Sequence, residues 1–136
     1  MSGKFADTNA LLYAVTDDAR KANAAEAILK GGVTISAQVL NEIANVLRRK
    51  WARSWEETNS TLWYVRDAVV DVVPVTIETH DLGVRIAQRY QLSIYDGLIV
   101  AAALLAGCDT LYSEDMHDGR LVEGRLRVVN PFRASR

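Results

Sequence analysis

A chain of 136 residues, 49% hydrophobic and 24% charged, can fill one core, and that balance excludes a disordered or fibrous protein. The formal net charge of −1 excludes capture of a polyanion by overall charge, so a nucleic-acid partner must be drawn by a local basic patch or a bound metal. Cys108 is the lone cysteine and has no disulfide partner in the chain, and the apolar run from Leu98 to Ala106 is too short to span a bilayer. The start, Met1 to Phe5, lacks the apolar stretch of a secretion signal, so the expectation is a cytoplasmic protein with no membrane partner.

Taken in chain order, Lys4–Ala6 reads as a short first strand leading into a helix over about 9–15. A second helix over about 18–29 stops at Gly31 and Gly32, and Val33 to Ile35 is a β-branched strand. Ser36 can cap a helix running to about Lys50, with Val39, Leu40, Ile43, Val46 and Leu47 at helical spacing. Ser54 and Glu57 form a capping-box pattern that opens a helix to about Val70. Asp71–Val75 reads as a strand, which Pro74 pushes to an edge or limits to Val72 and Val73. Thr76 starts a helix ending near Tyr90, and Ser93 starts an almost wholly apolar one ending at Gly107. Thr110 to Tyr112 and Arg127 to Val129 are the last strands. No repeat or linker divides the chain, so residues 1–136 are expected to form one domain with a basic tail at about 133–136. Strands separated by helices predict a three-layer α/β/α sandwich around a central, mainly parallel sheet. In such sheets ligands gather beyond the carboxyl ends of the strands.

Two acids fall at that edge: Asp7 directly after the first strand, and Asp115 just beyond Leu111-Tyr112-Ser113. Singly, each could be a turn residue or a helix cap. Asp96 is the only charged residue between Tyr90 and Asp109, at the start of a helix apolar on every face and hence buried. A buried carboxylate must be paired, hydrogen-bonded or metal-bound, although Ser93 and Asp96 also resemble a capping box. Glu42 sits on the border between the core-facing Val39 and Val46 and the polar Gln38 and Asn45. Four converging carboxylates repel and raise one another's pKa, a conflict that a divalent cation removes. An all-oxygen ligand set favours Mg2+ or Mn2+, and such a site suits phosphodiester hydrolysis.

The strings Ala6-Asp7-Thr8-Asn9, Leu40-Asn41-Glu42-Ile43, Tyr95-Asp96-Gly97-Leu98-Ile99-Val100-Ala101-Ala102-Ala103 and Leu111-Tyr112-Ser113-Glu114-Asp115 resemble the PIN-domain nucleases. Within that superfamily the chain, from Phe5 to about Phe132, is similar to the VapC toxins of prokaryotic toxin–antitoxin pairs. The resemblance implies a PIN fold and a Mg2+- or Mn2+-dependent endoribonuclease. By position, Asp7, Glu42, Asp96 and Asp115 match the family's acidic quartet. Asp7 and Asp96 are assigned as the main metal ligands, with Glu42 and Asp115 as ligands or water-positioning groups. Asn9 and Ser113 match polar positions that steady the carboxylates, and Asp118 is a candidate additional acid. Gly97 departs from the alanine or serine common in the family and is expected to loosen the helix start. The resemblance also implies a homodimer held inactive by a VapB-type antitoxin.

Arg48, Arg49, Lys50 and Arg53 form a basic cluster that could contact RNA, and Arg133 and Arg136 form a basic tail. Trp51, Trp55, Trp63 and Tyr64, mixed with these arginines, are read as a subunit contact in preference to base-stacking platforms. A receiver domain would need its acidic pair directly after the first strand, and a Rossmann domain a glycine-rich turn there; Asp7 holds that place instead. Two rivals stay open: a PIN-like binding or regulatory module with little catalysis, and a DNA-cleaving member of the superfamily.

Overall fold

Phe5 and Ala6 are fully buried because their strand lies inside a six-stranded sheet. The computed structural model describes residues 3–133. In chain order its elements are β1 (Gly3–Ala6), α1 (Thr8–Leu12) with a 3-10 turn (Tyr13–Val15), α2 (Ala19–Gly31), β2 (Thr34–Ser36) and α3 (Ala37–Asn45) with a π-helical turn (Val46–Lys50). They continue as α4 (Trp55–Ala68), β3 (Asp71–Val73), α5 (Ile77–Tyr90), α6 (Ile94–Leu105), β4 (Cys108–Tyr112), β5 (Leu121–Val122) and β6 (Leu126–Val129).

The strand order is β3-β2-β1-β4-β6-β5. Phe5 stands opposite Thr34 on one side and Leu111 on the other, and Leu111 opposite Val128, all in parallel pairs. Only β5 runs antiparallel, against β6. The sheet is thus mostly parallel and flanked by helices, as the strand–helix alternation predicts. From β1 the chain builds outward through β2 and β3, then crosses to the other side of β1 for β4. The carboxyl ends of β1 and β4 are therefore a topological switch point, where departing connections diverge and leave a crevice.

Side-chain caps start the helices where the sequence places them. Asp18, Ser36, Thr76 and Ser93 each accept a backbone N–H of the following turn, and Ser54 with Glu57 closes a reciprocal capping box. Pro74 ends β3 at the sheet edge. Three details differ from expectation. The third helix is α-helical only to Asn45 before widening into the π-turn, β2 begins one residue later than expected, and β5 is an additional short strand.

Gly97 also has a different role from the expected loosening of a helix start. A Cβ there would lie 2.5 Å from the Gly83 carbonyl oxygen and 2.9 Å from the Ala87 Cβ. Glycine lets α6 press directly against the backbone of α5, which fixes the turn carrying Asp96. Among the described residues no helix is long and apolar enough to cross a membrane.

Candidate active site at the carboxyl rim of the sheet

Asp7 leaves β1 and caps α1: its backbone N–H bonds Tyr112 O on β4 (2.9 Å), and its Oδ1 accepts the Thr8 N–H (2.6 Å). Its Oδ2 accepts the Ser113 hydroxyl (2.9 Å), so residues leaving both strands of the switch point hold one carboxylate. Thr8, one residue further, donates its hydroxyl to Glu42 Oε1 at 3.3 Å. Glu42 lies on α3 one turn after Gln38, whose side-chain amide donates to Oε2 at 2.8 Å. Asn9 on α1 donates to Asp115 Oδ2 at 2.7 Å. Asp96 sits in the first turn of α6, its N–H bonded to Ser93 Oγ at 3.1 Å.

These acids form a gradient from floor to mouth. Asp7 is 4% exposed, Glu42 and Asp96 are half-buried, and Asp115 is exposed. Burial pushes the Asp7 carboxyl up from 3.8 to about 7, opposed by the Thr8 and Ser113 bonds and reinforced by the charges of Asp96 and Glu42. Glu42 is raised first by burial and then by Asp96, against the bonds from Gln38 and Thr8. Asp96 is raised by burial and by the charge of Asp115, against its bond with Ser93. The charges of Asp96 and Glu42 thus bear on Asp7, that of Asp96 on Glu42, and that of Asp115 on Asp96. Among the described residues, none of the four forms an ion pair with lysine or arginine.

Excess negative charge, hard oxygen donors and no counter-charge fit a divalent cation such as Mg2+ or Mn2+. As the side chains stand, no three acidic, histidine or cysteine groups among the described residues are gathered closely enough to hold an ion together. Glu42 and Asp115 are tethered by the neutral amides of Gln38 and Asn9, bonds that an ion of higher charge can replace.

Asp118 does not join this group. Its carboxylate accepts the Asn130 N–H (2.8 Å) and pairs with Arg133 (2.6 Å), and those bonds hold its pKa below the usual carboxylate range. The basic cluster lies further along α3, Arg49 being roughly 10 Å beyond Glu42 at helical rise. Arg48 stacks on Trp55 (4.4 Å to the ring centroid) and bonds Arg53 O, while Arg53 pairs with Glu57. Arg49 and Lys50 are exposed, and Arg136 lies outside the described residues. Trp55 and Trp63 are 60% and 65% exposed, Trp63 beneath Arg66, so neither fills the core; Trp51 packs against it.

A family model described as the PIN domain matches residues 4–118. The chain belongs to the PIN-domain family. A comparison with the curated proteins finds no match. Among solved structures, this PIN domain is similar to a toxin–antitoxin complex from Klebsiella pneumoniae, at 22% identity and TM-score 0.69, covering 96% of this chain and 98% of that one. It is also similar to Mycobacterium tuberculosis VapC20, described as a sarcin–ricin loop cleaving toxin (21%, TM-score 0.67, 83% and 90% covered). A third is VapBC2 from Rickettsia felis bound to a DNA fragment from its promoter (18%, TM-score 0.67, 92% and 96% covered). At these identities the likeness shows the fold.

Two residues of the candidate site carry no role in the sequence reading. Thr8 lies inside the Asp-Thr-Asn string and links Asp7 to Glu42 through its N–H and its hydroxyl. Gln38 was legible only as a polar residue four positions before Glu42, the spacing at which two side chains meet on a helix.

Proposed function

We propose that this PIN domain is a Mg2+- or Mn2+-dependent endoribonuclease, the toxin of a VapBC-type toxin–antitoxin pair, acting in the cytoplasm as a homodimer. The observation that carries the reading is the set of acids at the switch point, linked through Asp96 and, among the described residues, bonded to neutral donors and paired with no cation. The neighbours support it: one is described as a toxin that cleaves the sarcin–ricin loop, and another as a toxin–antitoxin complex.

A divalent cation bound there would supply charge neutralisation and Lewis acidity toward the scissile phosphate. Asp7 and Asp96 would be its main ligands. Ser113 and Thr8 orient Asp7, and Gln38 orients Glu42. Glu42 and Asp115 would complete the ligand set or position a water. The exposed Arg49 and Lys50 offer charge to the RNA backbone. A cationic side chain from an antitoxin would meet the same unpaired acids and compete with the ion.

The test incubates purified protein with RNA and with single-stranded DNA, with Mg2+, with Mn2+ or with chelator, alongside Asp7→Asn and Asp96→Asn. Metal-dependent RNA cleavage that falls on the order of 10³-fold in both variants is the expected result. Equal cleavage by all three proteins overturns the site. Cleavage of DNA alone makes the protein a deoxyribonuclease. RNA or antitoxin binding without cleavage leaves a binding module, a reading favoured by the acids not already standing around one point.

A further inference from the structure

Glu114 lies between Ser113 and Asp115, yet its side chain takes no part in the acidic pocket. It is gripped from the other side. Tyr13 donates its hydroxyl to Glu114 Oε1 at 2.6 Å, and Lys21 Nζ reaches Glu114 Oε2 and the Tyr13 oxygen, each at 3.2 Å. The Lys21 and Glu114 side chains are only 25% exposed, so water screens the pair less than it screens a surface ion pair. The Tyr13 ring is itself fixed. Lys21 Nζ stands 4.3 Å from its centroid, and Phe132 packs against it edge-on at 4.7 Å, with Phe132 O bonded by Arg20. Hydrogen bonding to Glu114 raises the Tyr13 pKa above its ordinary value.

Tyr13 follows Asn9 by one helical turn, and Asn9 bonds Asp115. Two consecutive residues of the loop after β4 are therefore fastened to two consecutive turns of α1 and its 3-10 extension. Asp115 is exposed, and the Asn9 amide is the side-chain bond the structure gives it. One amide bond holds an exposed carboxylate poorly, whereas a second attachment through the adjacent residue removes the backbone freedom by which Asp115 would swing away.

We propose that Tyr13, Lys21 and Glu114 form a positioning clamp that presets Asp115, and with it the Ser113 contact to Asp7, for binding of the divalent cation. This inference rests on the metal-site reading above. Its three residues bond one another and act through Ser113 and Asp115, as positioning residues.

Calorimetric Mn2+ titration of the full chain tests it, comparing wild type with Tyr13→Phe, Glu114→Gln and Glu123→Gln. The first two are near-isosteric and keep the ring contacts. Glu123 accepts Tyr90 Oη in the β5–β6 hairpin (2.8 Å) and serves as an off-site control of the same chemistry. Mn2+ affinity should fall about 10-fold in Tyr13→Phe and Glu114→Gln and stay unchanged in Glu123→Gln. The Asn9 side-chain amide resonance of metal-free protein should move toward its solvent-exposed position in Glu114→Gln. Wild-type affinity in both clamp variants, or an equal fall in the control, overturns the clamp while leaving the metal site standing. A folded wild type that takes up no Mn2+ overturns the metal-site reading and the clamp with it.

Discussion

Acids in two neighbouring regions of the molecule meet opposite fates. In the segments that follow β4, Glu114 pairs with Lys21, Asp118 with Arg133 and Glu123 with Arg89, and Asp115, which turns to the rim, is the exception. At the rim of the sheet, the carboxylates of Asp7, Glu42 and Asp115 accept from neutral donors, and among the described residues neither they nor Asp96 pairs with a lysine or arginine. Asp118 is held below the usual carboxylate range and Asp7 is pushed up to about 7, although both follow strands in the same fold. The chain has cations to spare, since Arg49 and Lys50 point to solvent. Among the described residues, the rim is thus a place where folding leaves carboxylates without a cation, and the proposed function assigns that place to a divalent metal.

The comparison breaks most visibly at Asp7. In metal-free protein its carboxyl keeps a proton that the unfolded chain has already released, between its ordinary value of 3.8 and about 7. The stabilisation is complete below that interval and is lost as pH rises through it. Asp7→Asn removes this slope and should stabilise the metal-free protein at alkaline pH by on the order of 4 kcal/mol, while abolishing cleavage. Urea melts of both proteins across the pH range check it; parallel curves would mean that Asp7 is not strained.

Gly97→Ala should come next. The added methyl meets backbone at 2.5 Å, so α6 must shift away from α5, at a cost of about 1–3 kcal/mol. Because Asp96 precedes it, cleavage should fall by more than the loss of folded protein accounts for, as a thermal melt and an assay on the same sample would show. The smallest effect is expected from Asp118→Asn, which loosens the Arg133 contact and leaves cleavage at the wild-type rate. Lost cleavage there would place Asp118 in the site and erase the contrast between the two regions.

Much of this was legible in the sequence because local rules and tertiary packing agree. Caps at Ser36, Ser54, Thr76 and Ser93 satisfy orphan N–H groups whatever surrounds them, and the apolar run of α6 is buried over residues 99–104, although Ile94, Tyr95 and Leu105 at its ends are exposed. Asp7 and Asp96 stood out because charge at a strand end or in an apolar helix demands a reason. What was hidden depends on distant partners or on unusual backbone. The β5–β6 turn uses positive φ at Glu123 as well as Gly124, a conformation that glutamate does not advertise. The π-turn follows an apolar pattern that reads as continuing α-helix through Val46 and Leu47. Asp118 looks like Asp115 in sequence, and only the bonds to Asn130 and Arg133, more than ten residues away, separate them.

On the proposed function, the uncompensated carboxylates at the switch point are a seat for a hard cation. Crystals soaked in Mn2+ and measured at its anomalous edge test this most directly. The prediction is one or more strong peaks bonded to oxygens of Asp7 and Asp96, with Glu42 or Asp115 turned from its amide partner toward the ion. A fully occupied Mn2+ bound elsewhere, with the bonds to Ser113, Gln38 and Asn9 intact around an empty rim, would contradict it.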